Sequence, residues 1–183
     1  MVLPGAIKFM IDYYICGNTF RSCWAIREYP TSTTQQALLQ HLGEKDGVTL
    51  KVYTRTVTAG EERKLYSQAE KSNKLKQNNS HDIRENVIAE QNLQDVTTVI
   101  ATQLKNREPL VHCAVYIELM ALSKENLDDL QGVVMAELSR AKINVDRLLL
   151  RQQDGFMSVQ PCGRNVLGVQ YERVLPASSV ANL

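Results

Sequence analysis

The sequence predicts an α+β protein: a ferredoxin-like split βαβ sheet with an N-terminal hairpin strand and a helical insertion between the two βαβ units. Three observations predict it. Gly17-Asn18 divides two β-rich runs, as a two-residue hairpin turn requires. Two further β-rich runs, "VTLKVYTRTVT" and "EPLVHCAVYIELMAL", each stand next to an amphipathic helical pattern. Between those runs lies a long helical stretch, residues 61–106. A chain of 183 residues suits one domain, and at that size roughly 70% of the unfolded surface is buried. Within it, 6–58 forms the hairpin and first βαβ unit, 61–106 the insertion, 109–150 the second βαβ unit and 155–183 an exit segment.

"AIKFMIDYYIC" and "TFRSCWAIREYP" read as the two hairpin strands. In the second, Phe20, Ser22, Trp24 and Ile26 share one face and Arg21 and Arg27 the other, which places Trp24 in the core. Pro30 ends that strand. Ser32 and Gln35 then make an S-x-x-Q capping box for a short helix carrying Leu38, Leu39 and Leu42, which stops at Gly43. After the turn "EKDG", the next strand directs Leu50, Val52, Thr54 and Thr56 to one side. Thr58 and Glu61 form a second capping box and open the insertion. "NNSHD" breaks the insertion in two, and beyond the break Ala89, Leu93, Val96, Ile100 and Leu104 form one apolar stripe.

The strand in "EPLVHCAVYIELMAL" is apolar on both faces, the mark of a central strand. Ser123 caps a helix striped by Leu127, Leu130, Val134, Leu138 and Ala141. "VDRLLLRQQ" follows as a further extended segment. Residues 155–183 read as irregular, punctuated by Gly155, Pro161, Gly163, Gly168 and Pro176. The two βαβ units place their helices on one face of the sheet.

Composition excludes several classes of function. With 21 basic and 20 acidic side chains the formal charge is +1, so no global field draws in nucleic acid or anionic lipid. The four cysteines, Cys16, Cys23, Cys113 and Cys162, form no C-x-x-C pair. With the three histidines scattered they read as free, buried thiols of a cytoplasmic protein, and no metal site is expected. "MVLPGAIKFMIDYYICG" lacks the basic start and cleavage site of a signal peptide. "LVHCAVYIELMAL" is broken by His112 and Glu118 and falls short of the roughly 20 apolar residues of a spanning helix.

No motif amounts to a catalytic constellation. Gly163 and Gly168 have the spacing of a phosphate loop, but Val169 and Gln170 stand where lysine and a hydroxyl are needed. His112 and Cys113 are consecutive on a strand and point to opposite faces, so they do not share a proton. Asp128 and Asp129 are adjacent on a helix and do not face each other. Tyr53, Tyr116 and Trp24 lie on strands without the glycine-aromatic run of an RNA-binding sheet. Arg63, Lys64, Lys71, Lys74 and Lys76 make a basic edge suited to a partner subunit or lipid headgroups. Residues 60–108 balance eight basic against eight acidic side chains, which favours a solvated face over a nucleic-acid site.

The runs "YICGNTFRSCWAIREYPTST", "HLGEKDGVTLKVYTR", "NLQDVTTVIATQLKNREPLVHCAVYIEL", "INVDRLLLRQQDGF" and "GRNVLGVQYERVLPASSVANL" resemble the N-terminal portion of the CagE/TrbE/VirB-type ATPases of conjugative type IV secretion, in the form found on mobile elements of Gram-positive bacteria. The resemblance spans nearly all of residues 6–183. It implies a non-catalytic assembly domain that docks a DNA-transfer motor on other channel subunits at the cytoplasmic face of the membrane, with homo-oligomers formed in the full-length protein. ATP and magnesium would belong to a RecA-like motor beyond Leu183, so no cofactor is expected here and no catalytic residue carries over. The uncharged ending "LPASSVANL" would be the doorway to that motor. The competing expectation is a freestanding ferredoxin-like module for a small ligand or RNA.

Overall fold

In the computed structural model, residues 6–29, 38–64, 67, 109–161 and 163–182 are described. They form a mixed α+β arrangement with a seven-stranded, mostly antiparallel sheet. The strands are β1 (Ile7–Phe9), β2 (Tyr14–Cys16), β3 (Thr19–Glu28), β4 (Val48–Thr56), β5 (Leu110–Ala121), β6 (Asn144–Asp146) and β7 (Arg173–Pro176). The helices are α1 (Leu38–Gly43), α2 (Lys124–Arg140), α3 (Gln152–Val159) and α4 (Ala177–Ala181), with a 3-10 turn over Gly168–Gln170. The sheet runs β1-β2-β3-β5-β4, with β6 also paired to β3 and β7 to β5.

The chain divides into two compact units, one of residues 1–54, 113–173 and 181–183 and the other of 55–112 and 174–180. In the first, β2 and β3 close around Gly17-Asn18 with Cys16 opposite Thr19, and Gly17 takes the positive φ of 59° that the turn needs. The expected first hairpin strand is not one strand. It folds on itself at residues 10–13, so that β1 pairs with β2, Ile7 opposite Cys16 and Phe9 opposite Tyr14. The Met10 N–H donates to Tyr13 O at 2.9 Å, and the Ser22 hydroxyl holds Asp12 O at 2.8 Å. The fold-back stacks Phe9 against Tyr14 and Phe156.

Strands β3 and β5 are the centre of the sheet. Trp24 pairs with Ile117 and Ala25 with Tyr116, and every residue from Ser22 to Ile26 and from Cys113 to Leu119 is buried. The expectation that β5 is apolar on both faces holds. Trp24, Ile26, Ile117 and Leu119 lie on the face taken by α2, whose buried positions are Leu127, Gln131, Val134 and Leu138. Ser123 caps that helix by accepting from the Asn126 N–H at 3.1 Å.

The opposite face is not left without a helix, as the one-faced arrangement had it. Helix α3 covers it with the segment that follows, burying Tyr14, Cys23, Ala25, Ala114, Tyr116, Leu148, Val159, Leu167 and Tyr171 in one cluster. Residues 155–161 and 163–182 therefore hold the rest of that helix, a 3-10 turn, a strand and a further helix, where the sequence reads as irregular. Gly155 explains the misreading. A Cβ there would stand 2.6 Å from Cys23 Cβ, so this glycine is a point of helix–sheet contact and not a break.

Gln152, 1% exposed, closes a gap in the ladder. The outer edge of β3 pairs with β2 up to Arg21 and with β6 from Ala25 onward, which leaves Cys23 between the two partners. The Gln152 amide fills that place: Oε1 accepts from the Cys23 N–H at 2.8 Å and Nε2 donates to Cys23 O at 3.1 Å. One side chain thus replaces a missing strand residue, leaving neither backbone group unpaired.

In the second unit the Thr58 capping box forms as expected. The Glu61 N–H donates to Thr58 Oγ1 at 3.4 Å and the Thr58 N–H to Glu61 Oε2 at 2.9 Å. Those bonds to Thr58, together with Arg55, hold the Glu61 carboxyl down to about 2. Residues 59–64 are helical. The remainder of the expected insertion, with "NNSHD" and the Ala89–Leu104 stripe, lies outside the described residues, as does the Ser32–Gln35 capping box.

Candidate functional site

The polar side chains Tyr14, Arg21 and Glu118 of the first unit are structural in their geometry. Glu118, 6% exposed, accepts from the Tyr14 hydroxyl and, at 3.3 Å, from Arg21 Nη1. Tyr14, Arg21, Cys23 and Glu118 share one face of β2, β3 and β5 through the pairs Tyr14–Arg21 and Cys23–Glu118. Burial pushes the Tyr14 phenol far above its ordinary value and keeps it a neutral donor. Burial likewise raises the Cys23 and Cys113 thiols, away from the thiolate that a nucleophile needs. Cys16 is half-buried and also a free thiol, while Cys162 lies outside the described residues. Tyr116, its hydroxyl 2.6 Å from Asn165 Oδ1, and Tyr171, its hydroxyl on Asp146, are raised by burial first, Tyr171 to about 12.

A pH dependence follows, with its sign. These phenols and thiols lose protons more readily in the unfolded chain, so the folded state holds more protons in alkali. Stability is fully present below the unfolded values and is lost as pH rises toward the folded ones. Urea midpoints are expected to be flat between pH 7 and about 8 and to fall from about pH 9. Fully buried Tyr14 and Cys23 would each contribute up to ~1.4 kcal/mol per pH unit above their own unfolded values. Midpoints unchanged up to pH 11 would refute this.

The residues singled out from the sequence fall as follows. Arg63 and Lys64 are exposed on helical residues 59–64, while Lys71, Lys74 and Lys76 lie outside the described residues. His112 Nε2 is 4.0 Å from Glu61 Oε1, while Cys113 is buried beside Tyr29; the two do not act together. Trp24 and Tyr116 are fully buried, and Tyr53 donates its hydroxyl to Ser158 O at 2.6 Å. These aromatics therefore offer no stacking platform to RNA. Asp128 pairs with Lys124 one helical turn away. Gly163 and Gly168 lie in a loop pinned by Asn165, whose Oδ1 accepts from the Gly168 N–H at 3.0 Å. Among the described residues no group of three or more His, Cys, Asp or Glu side chains could hold a metal ion. Nor is any helix among them long and apolar enough to cross a membrane.

The surface feature that sequence reading missed is the turn after β6. "VDRLLLRQQ" is extended only as far as Asp146. Leu148 and Leu150 then adopt left-handed φ values of 50° and 62°, a conformation costing a leucine roughly 1–2 kcal/mol. Leu148 is buried by the twist, whereas Leu149 and Leu150 are 57% and 80% exposed. The Leu150 N–H donates to Ile11 O at 2.7 Å, which sets this turn against the β1–β2 turn, where Ile11 is also exposed. Three large apolar side chains therefore share one edge of the first unit. No local signal reveals it, because "LLL" suits a buried strand equally well.

The fold and these surfaces define a mixed α+β domain with an apolar edge and no reactive cluster among its described residues. No family model matches the chain, and no curated protein matches it.

Proposed function

We propose that the chain is a docking domain of a conjugative type IV secretion ATPase, using the edge formed by Ile11, Leu149 and Leu150 to seat a channel subunit. The observation that carries the reading is the left-handed Leu148–Leu150 turn. It keeps Leu149 and Leu150 in water, with Leu150 held at a positive φ that costs conformational energy, and strain of this kind is retained where a surface is used. The resemblance of the sequence runs supplies the class of partner. The strand order β6-β3-β5-β4, with α1 between β3 and β4 and α2 between β5 and β6 in sequence, supports a ferredoxin-like split βαβ frame. Exposed Arg63 and Lys64 suit a second contact, with a partner subunit or with lipid headgroups at the cytoplasmic face of the membrane. ATP and magnesium would be bound by a motor domain encoded downstream.

Two results test the reading. The coding sequence beyond codon 183 is expected to run into G-x-x-x-x-G-K-[ST] within about a hundred residues; a stop codon there would remove the motor. Leu150→Gly relieves the positive φ and deletes the exposed side chain, so the fold should gain stability by up to ~1 kcal/mol. Combined with Leu149→Ser in the intact transfer protein, it is expected to cut conjugation at least tenfold at an unchanged protein level. Normal transfer by this variant would sink the assigned surface.

A further inference from the structure

Helix α2 and the turn after β6 enclose a cleft of about 290 Å³ over the buried face of β3, lined by Trp24, Asp128, Gln131, Gly132, Met135 and Arg147. That volume is at the lower end of the range for small-molecule sites. Three observations point to a ligand. Gln131 is 5% exposed, and its Nε2 has no hydrogen-bond partner. Its Oε1 accepts from Arg147 Nη2, and because guanidinium only donates, turning the amide over would set donor against donor. The buried NH2 group is therefore without an acceptor whichever way the side chain is placed.

The second observation is Gly132, a glycine inside α2, where alanine would favour the helix. A Cβ there would meet nothing within 4 Å, so packing does not demand a glycine. What its small size does is leave the cleft open. The third is Arg147, whose guanidinium lies 5.7 Å from the Trp24 ring centroid and has N–H groups beyond the one on Gln131. The Asp128 carboxylate on the wall is paired with the Lys124 ammonium, so the cationic Arg147 is the one uncompensated charge lining the cleft.

We propose that this cleft binds a small molecule bearing an oxyanion, a carboxylate or a phosphate ester, with its oxygens on Gln131 Nε2 and Arg147 and its apolar remainder against Trp24 and Met135. Charge-assisted bonds from guanidinium to such oxygens are the strong kind. The site is independent of the docking edge, and it would stand if the docking reading failed.

Trp24 is the sole tryptophan in the sequence, so intrinsic fluorescence reports directly on the cleft. The probes are butyrate and butyl phosphate, with butanol and sodium chloride as controls at matched ionic strength. A saturable change is expected with at least one oxyanion and with neither control. Saturation by butyrate alone assigns a carboxylate ligand, by butyl phosphate alone a phosphate ester, and by both an oxyanion site of either kind. Gln131→Glu replaces the orphaned donor by an oxygen that pairs with Arg147, and Gly132→Leu fills the cleft without a backbone clash. Each should keep the wild-type melting temperature or raise it and weaken the probe at least tenfold. No saturable response to either oxyanion, an equal response to butanol, or unchanged affinity in both variants would overturn the proposal and leave the cleft to solvent.

Discussion

Replacing Gln152 by leucine is expected to lower the stability of the first unit by about 3 kcal/mol, read as a fall in the urea midpoint. The side chain gives the Cys23 N–H and C=O their partners where neither β2 nor β6 reaches. A second set of bonds from Nε2, to Arg147 O at 2.8 Å and Leu148 O at 3.4 Å, fastens the turn after β6 to the start of α3. Leucine is close in volume, so the loss comes from polar groups left dry, each costing roughly 1–3 kcal/mol. Glutamate separates the terms: it still accepts from the Cys23 N–H but cannot donate to the three carbonyls. Gln152→Glu should therefore be no better than leucine at neutral pH and recover partially in acid, where the protonated carboxyl donates again. Hydrogen exchange at the Cys23 amide gives the local readout. If Gln152→Leu kept that amide protected and the midpoint unchanged, the ladder role would be wrong.

The second large effect concerns the buried ion pair. Arg21→Met is expected to cost about 3 kcal/mol, the lower end for breaking a buried pair, because the Arg21 side chain is 24% exposed and partly screened. What remains is the Glu118 carboxylate at 8% side-chain exposure, accepting from the Tyr14 hydroxyl. Removing the whole network is another matter. Arg21→Met combined with Glu118→Leu and Tyr14→Phe leaves no buried charge and should be within about 1 kcal/mol of the parent, or above it. The test is a double-mutant cycle in urea between positions 21 and 118, which should show a coupling of at least about 1 kcal/mol. Additive single and double variants would mean that the pair contributes nothing.

What could be read from the chain alone was what neighbouring residues settle among themselves. Gly17-Asn18 makes its hairpin, Ser123 and the Thr58–Glu61 pair make their caps, and β5 is central because its apolar residues occupy both faces. In the candidate site the legible part was chemical type. Arg63 and Lys64 are exposed, and His112 and Cys113 diverge because strand side chains alternate. Gln131 left a trace, a polar residue at the four- and three-residue steps Leu127–Gln131–Val134–Leu138, which signals a side chain facing the core without an apolar reason.

The sequence by itself determined the turn at Gly17-Asn18, the strands β3, β4 and β5, and the starts of α2 and of helical residues 59–64, because turn preference, capping and side-chain alternation act within a few residues. Only the tertiary structure decided that α3 lies across the second face of the sheet, that Gln152 takes the place of a strand residue beside Cys23, 129 positions away, and that Leu148 and Leu150 after β6 twist left-handed. Tertiary packing likewise opened the cleft beside Trp24. Each of these depends on groups distant in the chain meeting across the sheet, and the local preferences there point elsewhere. Glycine inside α3 reads as a break until Cys23 is found beneath it, and consecutive leucines read as a strand until the ladder ends at Asp146.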